Sequence, residues 1–396
     1  MIQSPDADSA PPRVGQWLRA HALVLFVSLV VMAGFAWLLK AGALPVLPPA
    51  AALSVVRPWT AVGFVAAFLA VHVVRCSRWS LLVPEQRRPS LGLTIAICFI
   101  GYGAQVLLPF RLGEAVRPAL IHRHTRLPLG TAAGISGAER IVDGLVLSVL
   151  LMVSLLFGRR VSPLPDHIGA LPIPAALIPG LAWGGVIGFG LLSISMVGVY
   201  VYQAPLQRWL ARHLARVSPK LSSWAERTMA SVVGGFAFLR ERHTTLRFVI
   251  LTLLYWALSV VSFWFLLWGA GLPSPTLVEA GVVLGVLGLG MAVPNAPGYF
   301  GTFQMSGYAA LVLFFPIQVV TNEGAAFLFL LYVSQIGLTL VTAAVALSWG
   351  LKRSLKGTLE GTPEGTLEST SKRASGASSA PLETVPTLPK GVGPGP

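Results

Sequence analysis

Long runs of apolar residues recur along the whole chain, and they constrain its fold more than any other feature. They lie at about 22–39, 60–74, 91–109, 131–157, 173–202, 247–270, 277–293, 299–315 and 325–348. A helix needs roughly 20 mostly apolar residues to cross a bilayer. Only 11% of the 396 residues are charged, whereas soluble domains carry about 25%. The sequence therefore predicts an all-α, polytopic membrane helix bundle with about seven or eight hydrophobic segments.

The apolar runs also divide the chain into regions. We predict a cytoplasmic N-terminal segment at 1–20, a membrane domain at 21–350 and a disordered tail at 351–396. The tail is rich in Gly, Thr, Glu, Ser and Pro, and it has too little apolar surface to offset its chain entropy. The first apolar run has about 18 residues, which exceeds the core of a signal peptide, so we expect an uncleaved span.

The distribution of Lys and Arg predicts the orientation. Eight of them lie within 208–247, none lies within 248–351, and three follow the last run at 352–356. Loops rich in these residues stay on the cytoplasmic side of a membrane. We therefore expect both termini to be cytoplasmic in a cell (inner or cytoplasmic) membrane. The net charge of +14 then reflects these loops and their anionic lipid contacts, and we predict no nucleic-acid partner.

Two stretches fit poorly as full crossings. The run 91–109 has basic loops on both sides, which predicts a hairpin that enters and leaves on the cytoplasmic side. The runs 277–293 and 299–315 are separated by Pro294-Asn295-Ala296-Pro297-Gly298, a break without positive charge. A hairpin that dips in from outside and two full crossings both remain open there. Either arrangement leaves an even number of membrane crossings, so both termini stay on the same side. Such broken backbone is tolerated only against protein or a wet cavity, and paired broken helices often form the binding sites of transporters.

The loop at about 203–246 contains an amphipathic pattern. Leu206, Trp209 and Leu210 share one helical face, while Arg208 and Arg212 share another. A helix lying in the membrane interface and a soluble amphipathic hairpin are both compatible with this pattern.

The candidate substrate-binding residues carry charge or an amide within or beside apolar runs. They are Arg111, Glu114, Arg117, Glu139, Arg140, Asp143 and Asn295. Charged side chains are costly in hydrocarbon and should face a polar interior. We predict a chamber in which the arginines hold a phosphate and the carboxylates orient them, Glu139 and Asp143 doing so for Arg140. A structural ion network, or charge beside the membrane, is the competing interpretation.

The other polar residues have simpler interpretations. The three-residue spacing of Arg111, Glu114 and Arg117 predicts one helical face on which they pair. Arg75 and Arg78, next to Trp79, are predicted to anchor the second span at the membrane interface. The sequence shows no Walker motif, zinc motif or nucleophile elbow, so we predict no catalytic residue, no metal, no cofactor and no ATP hydrolysis.

Four motifs carry a resemblance to a known family. The main one is Pro109-Phe110-Arg111-Leu112-Gly113-Glu114-Ala115-Val116-Arg117, which resembles the P-x-R-x-G-E-x-x-R core of the flippase-like family that includes the transmembrane region of lysylphosphatidylglycerol synthases. The stretches 75–79, 139–143 and 293–301 resemble its other motifs, and the likeness spans about 15–350. By motif match, the polar residues that the family keeps would be Arg75, Arg78, Arg111, Glu114, Arg117, Glu139, Arg140, Asp143 and Asn295.

The resemblance implies a membrane domain that translocates, or helps to synthesise, an anionic or polyprenyl-type lipid. Bifunctional members add a soluble aminoacyl-transferase domain, for which this sequence has no counterpart, so we expect no aminoacylation. We predict lipid translocation between leaflets without ATP hydrolysis. The alternatives are a membrane-embedded transferase and an accessory subunit in lipid or envelope synthesis. The expected partners are membrane lipids, with a homo-oligomer or an envelope-synthesis protein as further possibilities.

Overall fold

A computed structural model describes residues 14–158, 161, 164–216, 218–292 and 296–360, and these contain helices but no β-strand. The helices are α1 Val14–Ala41, α2 Ala50–Ser54, α3 Pro58–Ser80, α4 Leu91–Leu107, α5 Val116–Thr125, α6 Leu129–Phe157, α7 Leu177–Val201, α8 Gln203–Ala215, α9 Pro219–Gly234, α10 Arg242–Gly269, α11 Leu277–Ala292, α12 Thr302–Leu311, α13 Ile317–Thr321 and α14 Glu323–Glu360. Short 3-10 turns occur at Glu85–Arg87, Pro109–Ala115, Ala237–Arg240 and Pro297–Tyr299.

Within the described residues, five helical stretches are long and apolar enough to cross a membrane. They are Pro58–Ser80, Leu129–Phe157, Leu177–Val201, Arg242–Gly269 and Ile317–Gly350. Shorter apolar helices lie at Phe26–Ala41, Leu91–Leu107 and Leu277–Ala292. The predicted all-α, polytopic membrane bundle is therefore confirmed.

Proline residues set several helix boundaries. Pro58 occupies the first turn of α3, where its missing N–H costs no hydrogen bond. Pro128 and Pro316 directly precede α6 and α13. Pro109 follows the end of α4 and begins a tight turn, because proline does not continue a helix.

Four loops meet at one end of the bundle, here called the loop end: 42–57, 161 with 164–176, 269–276 and 312–322. Three backbone hydrogen bonds of 2.8–2.9 Å join them: Ala170 N–H to the Gly42 carbonyl, Arg57 N–H to the Gly269 carbonyl, and Val161 N–H to the Leu313 carbonyl. The opposite end, here called the basic end, contains the loops that are rich in Arg and Lys. There the Arg87 guanidinium donates to the Arg126 carbonyl.

The first broken hairpin comprises α4, the turn Pro109–Ala115 and α5. The contact between Arg87 and Arg126 joins the residues that flank this hairpin, so the chain returns to the basic end from which it started. The predicted hairpin form is therefore present.

The second broken hairpin comprises α11, the turn Pro297–Tyr299 and α12. It begins and ends at the loop end, opposite to the first hairpin. Its returning helix α12 has only 10 residues, or about 15 Å of helix, and a bilayer core is about 30 Å thick. The length of α12 favours a hairpin over two full crossings, the two possibilities that charge alone left open.

The amphipathic loop folds as a helical hairpin of α8 and α9. The Ser222 hydroxyl donates to the Ala211 carbonyl across the pair, with Oγ and O 3.4 Å apart. α9 packs on α6, where the Thr131 hydroxyl donates to the Ser231 carbonyl with the oxygens 2.8 Å apart. Trp209 stays exposed.

The last helix, α14, runs to Glu360 and so extends ten residues into the predicted tail at 351–396. The rest of that tail, 361–396, lies outside the described residues, and the predicted boundaries at 20 and 350 stay predictions.

Candidate functional site

A cavity of about 550 Å³ lies between the long helices and the two broken hairpins. One part of its wall is charged and is formed by Arg75, Arg111, Glu114, Arg140 and Asp143. The rest is mostly aromatic and aliphatic, and it includes Phe64, Phe68, Leu147, Phe189, Phe263, Leu284, Leu287 and Phe303.

The charged and apolar parts are separated along the bundle axis. On α3, which runs toward the basic end, Arg75 follows Phe64 by three helical turns. On α6, which runs away from that end, Leu147 follows Arg140 by about two turns. The charged part of the cavity therefore lies nearer to the basic end, and the apolar part continues toward the loop end.

Arg111 lies at the tip of the first hairpin and connects it to the second. Its Nε donates to Glu114 Oε1 at 2.6 Å, and its Nη1 donates to the carbonyl of Ala292, the last residue of α11. Phe110 and Arg111 have φ of 50° and 61°, and this left-handed conformation costs roughly 1–2 kcal/mol per non-glycine residue. Strain of this kind often occurs at binding sites, and here the contacts of Arg111 help to maintain it.

The tip also depends on a close approach at Gly113. A Cβ atom at this position would lie 2.2 Å from the backbone carbon and oxygen of Ala104 on α4. Only glycine allows the turn to pack this closely.

We expect Gly113→Ala to destabilise the protein by about 1–3 kcal/mol, because backbone atoms must move to admit the methyl group. Gly137→Ala is a matched control, since a Cβ there meets no atom within 4 Å. Thermal unfolding of the purified proteins in detergent measures the difference. Equal midpoints for both variants would contradict the close packing.

Two further arginines reach the cavity. Arg140 Nη2 lies 3.7 Å from Glu114 Oε1, so this carboxylate is shared with Arg111. The Arg75 guanidinium carbon lies 4.3 Å from the ring centre of Tyr102 and 5.7 Å from that of Tyr255. Arg75 Nε is buried without a hydrogen-bond partner in the described part of the chain. The guanidinium groups of Arg140 and Arg75 can therefore donate further hydrogen bonds to a ligand.

A second group of charges is buried beside the cavity. Arg78 Nη2 donates to Glu139 Oε1 at 2.8 Å and to Asp143 Oδ2 at 2.9 Å. Arg117 donates to the other oxygen of Glu139, and its guanidinium carbon lies 5.0 Å from the Trp79 ring centre. We call Arg78, Arg117, Glu139 and Asp143 the buried network.

The structure corrects the predicted roles of three residues. Arg78 is not an interfacial anchor, because its side chain is 0% exposed and binds two carboxylates. Glu139 and Asp143 do not orient Arg140. They lie one helical turn apart on one face of α6, whereas Arg140 points about 100° away from Glu139.

Arg117 does not share a helical face with Arg111 and Glu114. The left-handed residues of the turn interrupt the helix between them, so Arg117 lies on α5 and pairs with Glu139 instead of Glu114. Arg75, predicted as an interfacial anchor, lines the cavity.

The remaining candidate residues differ in their placement. Asn295 lies outside the described residues. Tyr102 and Tyr255 line the cavity but were not predicted; a phenolic hydroxyl inside an apolar run was their only sequence signal. Among the described residues, no three His, Cys, Asp or Glu side chains form a possible metal site.

The fold and the site define a class of protein: a multi-pass membrane protein whose interior pocket lies where two broken hairpins meet. The family described as "Lysylphosphatidylglycerol synthase TM region" matches residues 25–344, and the chain belongs to that family. The resemblance predicted from the four motifs is therefore confirmed, and the chain is a membrane protein of lipid and cell-envelope biology. No curated protein and no solved structure matched the chain.

Proposed function

We propose that the cavity binds the phosphate headgroup of an anionic phospholipid or of a polyprenyl-phosphate-type lipid, and that the protein carries this lipid between leaflets without ATP hydrolysis. The observation that supports this most is the division of one cavity into a part with three arginines and an apolar part. A lipid has the same division, with an anionic head and hydrocarbon chains. Arginine is suited to phosphate because its planar donors bind two oxygens at once.

The size of the cavity supports the same proposal. About 550 Å³ is typical of a pocket for a small ligand. The headgroup and the first part of the chains would occupy it, and the remaining hydrocarbon would stay in the bilayer.

The contacts of Arg111 suggest how the headgroup couples to movement. Arg111 joins the tips of two hairpins that enter from opposite ends, through Glu114 on one side and the Ala292 carbonyl on the other. A phosphate competes for the same donors, so its arrival would loosen the connection between the tips. In this proposal the lipid moves down its own gradient.

Reconstitution into liposomes tests the proposal. The purified protein is incorporated into vesicles that contain a fluorescent anionic lipid, and an impermeant quencher reports the fraction in the outer leaflet. Faster exchange than in protein-free vesicles is expected. Folded protein that leaves exchange unchanged would refute translocation, and a new lipid product without exchange would assign a transferase instead.

The proposed orientation places the basic end and both termini in the cytoplasm of a cell whose plasma membrane holds the protein. Both native cysteines, Cys76 and Cys98, are buried, so background labelling should be low. We expect His124→Cys at the basic end to react with an impermeant maleimide only after the cells are permeabilised. Asn322→Cys at the loop end should react in intact cells. The reverse pattern would contradict the orientation.

A further inference from the structure

We propose that the cavity selects lipids whose headgroup ends in a doubly charged phosphomonoester. Arg75, Arg111 and Arg140 line the cavity, and among the described residues Glu114 is the one carboxylate of its wall that is not already paired in the buried network. This inference rests on the proposed lipid-binding function and narrows its substrate to one class.

The charges of the buried network balance each other. Arg78 binds Asp143 and Arg117 binds Glu139, with Glu139 bridging the two arginines. Two positive and two negative charges are therefore paired, and the charge of Asp143, which also lines the cavity, is balanced by Arg78.

The charges that face the cavity do not balance. Arg111 and Arg140 share the carboxylate of Glu114, and Arg75 forms no salt bridge within the described part of the chain. Two positive charges therefore remain in excess. Positive charge without a counter-charge is unfavourable where the arginines are only partly exposed, so a ligand that supplies two negative charges gains most.

A terminal phosphate matches this excess in charge and in geometry. It carries about −1.5 to −2 charges at pH 7 and presents three strong acceptor oxygens, which suits three arginines. A phosphodiester carries one negative charge and would leave one positive charge uncompensated. A headgroup with an added amine would compensate still less.

The position of Arg75 strengthens the argument. It comes from α3, whereas Glu114 and Arg111 belong to the first hairpin and Arg140 to α6. The rings of Tyr102 and Tyr255 lie beside its guanidinium and favour its charged form in place of a carboxylate. Its Nε has no hydrogen-bond partner in the described part of the chain and would gain one from a headgroup oxygen.

Short-chain lipids test the selectivity on the wild-type protein. Thermal unfolding in detergent is followed while dihexanoyl phosphatidic acid, phosphatidylglycerol or phosphatidylcholine is titrated. We expect phosphatidic acid to bind at least about tenfold more tightly than phosphatidylglycerol, because one more charge is paired, and phosphatidylcholine to give no shift. Equal affinities for the first two lipids would overturn the proposal.

A variant then tests the role of Arg75. Arg75→Gln removes one excess charge and should reduce the preference for phosphatidic acid over phosphatidylglycerol to about twofold or less. Arg123→Gln is the matched control, since it removes a charge from an exposed position on α5; its preference should equal that of the wild type. An unchanged preference in Arg75→Gln would overturn the role of Arg75. If that variant does not fold, Arg75→Lys should keep the order of the three lipids but bind phosphatidic acid more weakly, and wild-type affinity would overturn the same role.

This binding measurement is independent of transport. Preference for phosphatidic acid without its movement in liposomes would support the selectivity and refute translocation. Movement of phosphatidic acid and phosphatidylglycerol at equal rates, with equal affinities, would support translocation and refute the selectivity.

Discussion

The Glu139→Gln variant is expected to lose about 3–5 kcal/mol of folding stability, as is typical when one partner of a buried ion pair is removed. Glu139 is 0% exposed and accepts hydrogen bonds from both Arg78 and Arg117. Glutamine keeps the size of the side chain but removes the charge, so two guanidinium groups would face Asp143 alone. Thermal unfolding in detergent and the folded fraction in size-exclusion chromatography measure this loss.

Glu85→Gln is the matched control, because Glu85 is exposed at the basic end and the same change removes the same charge. Its unfolding midpoint should equal that of the wild type. A normal midpoint in Glu139→Gln, together with lost lipid exchange, would contradict a scaffolding role and assign Glu139 to the lipid site.

This expectation differs from the one that the sequence suggests. From the sequence, neutralising Glu139 would release Arg140 and impair transport, while the protein remains inserted. In the structure, Glu139 belongs to the buried network, and Arg140 contacts Glu114. The candidate residues therefore form two groups: the buried network, which is a scaffold, and a set of hydrogen-bond donors that face the cavity.

The helices themselves were predictable because their signal is local. The apolar run 131–157 became α6, Leu129–Phe157, and the run 277–293 became α11, Leu277–Ala292. The length and continuity of apolar residues determine such helices without knowledge of their neighbours. Charge on both sides of the run 91–109 likewise identified the first hairpin.

The pairing of charges was not predictable because it depends on contacts between helices. Arg78 lies 65 residues from Asp143, and Arg117 lies 22 residues from Glu139. Adjacency along the chain favoured Arg140 as the partner of Glu139, but adjacent residues on a helix point in different directions. The left-handed pair Phe110 and Arg111 had no sequence signal either, since neither residue is glycine.

The Arg111→Lys variant is expected to lose roughly tenfold to a hundredfold in lipid exchange per inserted molecule, the equivalent of one charged hydrogen bond. Arg111 uses separate nitrogens for Glu114 and for the Ala292 carbonyl. A lysine ammonium keeps the charge but lacks the planar fork that reaches both partners and a phosphate together. Arg140→Lys should show a loss in the same range for the same reason.

The fold should survive the Arg111→Lys change, which separates this prediction from the one for Glu139. The Arg111 side chain is 27% exposed, so a lysine there stays partly solvated and leaves no buried charge without a partner. The unfolding midpoint should therefore stay close to that of the wild type while exchange falls. Arg123→Lys makes the same substitution at an exposed position on α5. It should leave both the unfolding midpoint and the lipid exchange at their wild-type values. Near-normal exchange in Arg111→Lys and Arg140→Lys would rule out a headgroup clamp and leave both residues as parts of the scaffold.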